Sequence, residues 1–110
     1  MKRINPTILG LLTVAILTAK LGKIEFNGHI ETWYNLPMQK VVQKAHDNGF
    51  DGDYWERKDG CKMIGHYIIC AGHPSRYGEI VECSRGKGII LDTGEFVKNN
   101  PTAIDLATTW

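Results

Sequence analysis

Gly88-Ile89-Ile90-Leu91-Asp92-Thr93-Gly94-Glu95-Phe96 and, one short connection later, Ala103-Ile104-Asp105-Leu106-Ala107-Thr108-Thr109-Trp110 decide how this chain reads. Each is a short apolar run bounded by turn-forming residues, the pattern of a buried β-strand. Asp92 ends the first run and enters a Thr-Gly turn. Asp105 sits inside the second. A carboxylate at a strand end beside a glycine turn is poorly solvated and held in place, which suits acid/base work. Aspartate also caps turns with no further role, and for either residue alone that is the plainer reading.

Working upstream, His66-Tyr-Ile-Ile-Cys-Ala71 and Gly78-Glu-Ile-Val-Glu-Cys83 are further β-like runs separated by Gly, Pro and Ser. Residues 51–60 are charged and turn-rich, with Tyr54 and Trp55 embedded. Residues 23–34 alternate apolar and polar and break at Asn27-Gly28, a hairpin signal. Pro37 suits the first turn of a helix. Met38, Val41, Val42 and Ala45 then share one helical face, opposite Lys40, Gln43 and Lys44. Asn48-Gly49 stops that helix. One short helix over residues 37–48 and four to six short strands predict a small barrel or sandwich.

The chain has 110 residues, enough for one domain. Its 13 Lys+Arg nearly cancel 12 Asp+Glu, and no basic block is present, which argues against a nucleic-acid binder. Lys2 and Arg3 precede an uncharged run from Ile4 to Ala19 that Lys20 ends, the pattern of an export signal. Leu17-Thr18-Ala19 is a poor cleavage site, so residues 1–22 read as a signal peptide or a signal anchor. The competing reading is a buried helix of the domain itself. In an exported protein one pair of Cys61, Cys70 and Cys83 could form a disulfide, and Cys70 with Cys83 is the pair on successive β runs. Otherwise all three are buried thiols.

Four local patterns, in order, resemble the double-psi β-barrel group: the three-aspartate domain proteins, the rare-lipoprotein-A-like proteins, the expansins and the barrel of membrane-bound lytic transglycosylase A. They are Thr32-Trp33-Tyr34, Cys70-Ala71-Gly72-His73-Pro74 with Tyr77-Gly78, Leu91-Asp92-Thr93-Gly94 with Phe96, and Ile104-Asp105-Leu106. Together they span about three-quarters of the chain. The three-aspartate members carry an aspartate just before the mid-chain proline. Here Gly72-His73 stands in that place, and the helix and aromatic turn of residues 37–60 have no evident counterpart.

The resemblance implies a mainly β fold: a six-stranded double-psi β-barrel over residues 23–110 with one short helix, preceded by an N-terminal hydrophobic helix. It implies action on glycan strands, above all peptidoglycan, of the lytic transglycosylase type. In that reaction the sugar's own 6-hydroxyl attacks, so one carboxylic acid suffices to protonate the leaving oxygen and then accept a proton. Asp92 and Asp105 are the catalytic candidates, with Tyr34, Tyr77, Thr93 and His73 as substrate-binding candidates. The carboxyl groups of the two aspartates should lie within roughly 10 Å, the upper range for paired carboxylates in glycosidases. No cofactor, metal or nucleic acid is implied. The implied partner is peptidoglycan or a related polysaccharide, and the implied protein is an exported monomer, secreted or membrane-anchored at the cell envelope, touching membrane only through its N-terminal segment. A non-catalytic, expansin-like glycan- or protein-binding module is the alternative, and a small membrane-anchored structural protein a third.

Other motifs argue less. Asp92-Thr93-Gly94 matches the aspartic-protease signature, but Glu95 replaces the small residue that follows there, and too little chain remains. His66 and Cys70, if on one strand, lie about 13 Å apart, too far to share a zinc ion. Cys70 with His73 lacks an orienting third group for nucleophilic work. Trp33, Tyr34, Tyr54, Trp55, Tyr77 and Trp110 could stack on sugar rings, although in so small a domain at least half should be core.

Overall fold

Asn27 and Gly28 both take positive φ, 50° and 84°, as a two-residue type I′ turn requires. They join β1 (Ile24–Phe26) to β2 (His29–Tyr34) in an antiparallel hairpin. In the computed structural model, which describes residues 22–110, the chain continues through α1 (Gln39–Asp47), β3 (Tyr54–Glu56), β4 (Lys62–Ile64) and β5 (Tyr67–Ala71). A 3-10 turn at Pro74–Arg76 leads to β6 (Ile80–Cys83) and β7 (Gly86–Asp92). A second 3-10 turn at Glu95–Lys98 leads to β8 (Ile104–Ala107).

The domain is mainly β with one helix, but the expected six-stranded barrel is corrected in two respects. There are eight strands in one sheet, and its path, β1-β2-β8-β5-β4-β3 with β7 and β6 branching from β5, does not close on itself. Two of the strands escaped the sequence pattern because pairing makes them. Glu56↔Lys62, Trp55↔Met63 and Tyr54↔Ile64 tie the charged, exposed β3 to β4, so strand partners override local polarity. The expected hydrophobic helix and signal segment of residues 1–22 lie outside the described residues, apart from Gly22. Among the described residues no helix is long and apolar enough to cross a membrane.

β5 is the hub. Along one edge it pairs antiparallel first with β4 (Met63↔Ile68) and then with β8 (Cys70↔Leu106, Ala71↔Asp105). Along the other it pairs parallel with β7. A second parallel pair joins β2 to β8. The β5–β7 register runs Ile68↔Gly88, Ile69↔Ile89, Cys70↔Ile90, and then Ala71↔Asp92, so Leu91 is bulged out of the pairing. A one-residue slip moves every following side chain to the other face. The bulge therefore carries Asp92 off the Ile90 face and onto the Ile89 and Leu91 face.

Both faces of this sheet are covered, which explains the nearly unbroken apolar runs of β5 and β7. On one face Cys61, Met63, Ile68, Cys70, Val81, Cys83, Ile90, Ile104 and Leu106 form a core, with Trp33 against it. On the other, Met38 and Ala45 of the α1 region pack on Ile64, Ile69, Ile89, Leu91 and Ala107. Gly88 makes the first core possible: a Cβ there would run into the sulfurs of Cys70 and Cys83. Those sulfurs lie 3.9 Å apart, and all three cysteines are buried free thiols, so the possible disulfide is not formed. Burial, with the nearby Asp59 charge, pushes the Cys61 thiol up to about 11.

Candidate active site

Ala71 is paired on one side with Asp92 and on the other with Asp105. Residues in register across neighbouring strands point to the same face, and strands lie about 4.8 Å apart. The two aspartates therefore flank one short, buried side chain on one face, with Cα atoms roughly 10 Å apart. β2 extends the same face, since Thr32 pairs with Asp105 and Tyr34 with Ala107. Its alternation sends Glu31 and Trp33 to the opposite side.

Each aspartate is held by β2. The Thr32 hydroxyl donates to Asp105 Oδ1 at 2.8 Å. The Tyr34 hydroxyl donates to Asp92 Oδ2 at 2.8 Å, and the Thr93 backbone N–H donates to Asp92 Oδ1 at 2.9 Å. Both aspartates are half-buried. Burial raises the Asp105 pKa above the ordinary carboxylate value. The Thr32 hydrogen bond opposes that shift and the Asp92 charge adds to it. Tyr34 is pushed far above the usual phenol range, first by burial and then by the charge and hydrogen bond of Asp92. It stays a hydroxyl donor at any working pH.

Asp92 and Thr93 open onto a cleft of about 510 Å³ between α1 and the Pro74–Arg76 turn. Of the sequence-predicted site residues, His73, Tyr77, Asp92 and Thr93 line this cleft together. Tyr34 and Asp105, on β2 and β8, do not line it. His73 Nδ1 accepts from the Ser75 backbone N–H at 3.2 Å and contacts Ser75 Oγ at 2.7 Å, so it caps the 3-10 turn and leaves Nε2 as the proton-bearing nitrogen. Tyr77 packs edge-on against Phe50, carries Lys44 Nζ 4.9 Å from its ring centre, and accepts a hydrogen bond from Asn48 at 3.3 Å.

Four residues escape the sequence reading, three of them at the site and one on the opposite face of the sheet. Thr32 alternates in phase with Tyr34, and that period of two is the signal that puts it on the site's face. Lys40 and Lys44, on the helical face opposite Met38, Val41, Val42 and Ala45, both line the cleft. Glu31 was not singled out at all. It lies fully buried on the opposite face, where the Ser84 N–H donates to it at 2.7 Å, the Ser84 hydroxyl also donates, and His29 lies at 3.2 Å. Among the described residues no cluster of three or more His, Cys, Asp or Glu is arranged to hold a metal ion. No protein family, no curated protein and no solved structure matches this chain, so its site is read from its own geometry.

Proposed function

We propose that this protein cleaves peptidoglycan or a related glycan in the manner of a lytic transglycosylase, with Asp105 as general acid and base. The observation that carries the reading is the placement of Asp92 and Asp105 on one face across Ala71, with burial raising the Asp105 pKa. A carboxyl group must be protonated near neutral pH to donate to a glycosidic oxygen, and burial favours that form. Asp105 gives its proton to the leaving oxygen as the C1–O bond breaks. The sugar's 6-hydroxyl then bonds to C1 and yields its proton to the Asp105 carboxylate. Asp92, fixed by Tyr34 and Thr93, orients the sugar at the cleft, where Tyr77 offers a ring to an apolar sugar face. The double-psi plan belongs to the same proposal. Its support is the two parallel pairings, β2 with β8 and β5 with β7, inside an otherwise antiparallel sheet that stays open.

The test is digestion of purified peptidoglycan by the full chain, with mass spectrometry of the products. Anhydro-ended muropeptides that disappear with Asp105→Asn are the expected result. A second reading, a non-catalytic glycan-binding module, is favoured by one observation: Asp105 does not line the cleft that Asp92 opens onto. Pelleting with insoluble peptidoglycan, without any anhydro product, would select it.

A further inference from the structure

Helix α1 has a cleft on each flank. The second, of about 480 Å³, lies between α1 and the β3–β4 hairpin, away from the aspartates. Its wall holds Lys62, which is only 5% exposed. Lys62 Nζ donates to Asn35 Oδ1 at 2.8 Å and to the Leu36 carbonyl at 2.7 Å. Both acceptors are neutral, and an ammonium has three N–H groups. A buried charge is ordinarily paired with an opposite one, because neutral acceptors repay only part of its lost hydration.

A carboxylate stands ready in the register but is not used. Glu56 is the direct cross-strand partner of Lys62, on the same face and in the same cleft. Oppositely charged neighbours at that spacing commonly pair. These two form no ion pair among the described residues. Glu56 accepts instead from the Tyr54 hydroxyl at 2.8 Å. The cleft thus holds a positive and a negative group from paired positions on neighbouring strands, each bonded to a neutral partner. Pro37, Met38 and Val42 supply an apolar wall beside them.

We propose that this cleft binds a small zwitterion of the dipeptide class, its carboxylate on Lys62, its ammonium on Glu56 and an aliphatic side chain against Met38 and Val42. The site is independent of the glycan chemistry above, and neither reading requires the other.

The experiment is an NMR titration of the full chain with alanyl-leucine, alanyl-leucine amide and N-acetyl-alanyl-leucine. Alanyl-leucine should shift the signals of Met38, Val42 and Tyr54. Both blocked peptides should bind about tenfold more weakly, as expected for loss of one charge-assisted hydrogen bond. Glu56→Gln should abolish the preference for alanyl-leucine over its N-acetyl form, and Lys62→Met the preference over its amide. If Lys62→Met fails to fold, the blocked peptides on the unaltered chain and Glu56→Gln on its exposed strand decide alone. The proposal is overturned if alanyl-leucine gives no shifts by about 20 mM, or if the blocked peptides bind equally well. It is also overturned if Lys62→Met lowers the melting temperature while leaving alanyl-leucine binding unchanged, since Lys62 is then a strut for the Asn35-Leu36 turn and nothing more.

Discussion

Glu31 and the Asp92/Asp105 pair sit on opposite faces of the same sheet, and their surroundings differ in kind. Glu31 is wholly buried, and Ser84 and His29 supply it with partners on both oxygens. Asp105 is half-buried with one donor, from Thr32, and shares its face with a second carboxylate. A buried carboxylate that accepts on both oxygens is tied into the fold, since displacing it would break several bonds at once. A partly desolvated carboxylate with spare acceptor capacity and a like charge nearby is suited to gaining and losing a proton. Burial alone would have singled out Glu31. Counting hydrogen-bond partners points instead to Asp105.

The sharpest way to break this contrast is to exchange the carboxyls for amides. Asp105→Asn is expected to lower glycan cleavage by about a hundredfold or more, the scale of a lost general acid. It should leave the fold intact, because the amide oxygen still accepts from Thr32. Glu31→Gln should leave cleavage within a few-fold of normal. Anhydro-muropeptide yields that fall with Glu31→Gln and persist with Asp105→Asn would reverse the assignment.

Stability should show the opposite ranking. Glu31→Ala removes the partner of Ser84 and opens a hole in a closed core, at an expected cost of about 2–4 kcal/mol in denaturant unfolding. A loss below about 0.5 kcal/mol would mean that Glu31 is not the structural carboxylate described here. Gly88→Ala tests the same core from its other side. Its Cβ would displace Cys70 and Cys83, with an expected cost of about 1–3 kcal/mol.

The smallest effect concerns pH. The native Asp105 pKa lies above its unfolded value of about 3.9, so the native state holds its proton more tightly than the unfolded chain does. Stability contributed by this group is therefore present at low pH and lost as pH rises through the native pKa. Asp105→Asn should be slightly more stable than the unaltered protein at pH 7, and the advantage should vanish below about pH 4. Thermal unfolding of both proteins across that range measures it. An advantage that grows toward low pH would contradict the raised native pKa.

Much of the fold was legible in the residues themselves. The hairpin at Asn27-Gly28, the helix, and the strands at Tyr67–Ala71, Ile80–Cys83, Gly86–Asp92 and Ile104–Ala107 each announced themselves by turn chemistry or apolar runs. β3 and β4 did not, because Tyr54-Trp55-Glu56 is exposed and becomes a strand only through its pairing with β4. That the sheet stays open was equally hidden, since it depends on which distant edges meet. In the site, both aspartates stood out as charges within or at the end of apolar runs. Lys62 carries no local signal of its burial, which goes with its Nζ donating to Asn35 and to the Leu36 carbonyl from a distant part of the chain.

The sequence by itself determined that residues after 22 make a β-rich domain with one amphipathic helix, and that Asp92 and Asp105 sit in strands. Periodicity and turn residues act locally, over a few positions, and so survive in a linear reading. Only the tertiary structure decided that these carboxylates share a face. In a regular ladder Asp92 would follow Ile90 by two and point into the core of Cys70 and Leu106. The bulge at Leu91 turns it over, in the stretch where β5 takes β7 on one edge and β8 on the other. Such a register shift is a property of three strands packed together, and no one of them carries it alone.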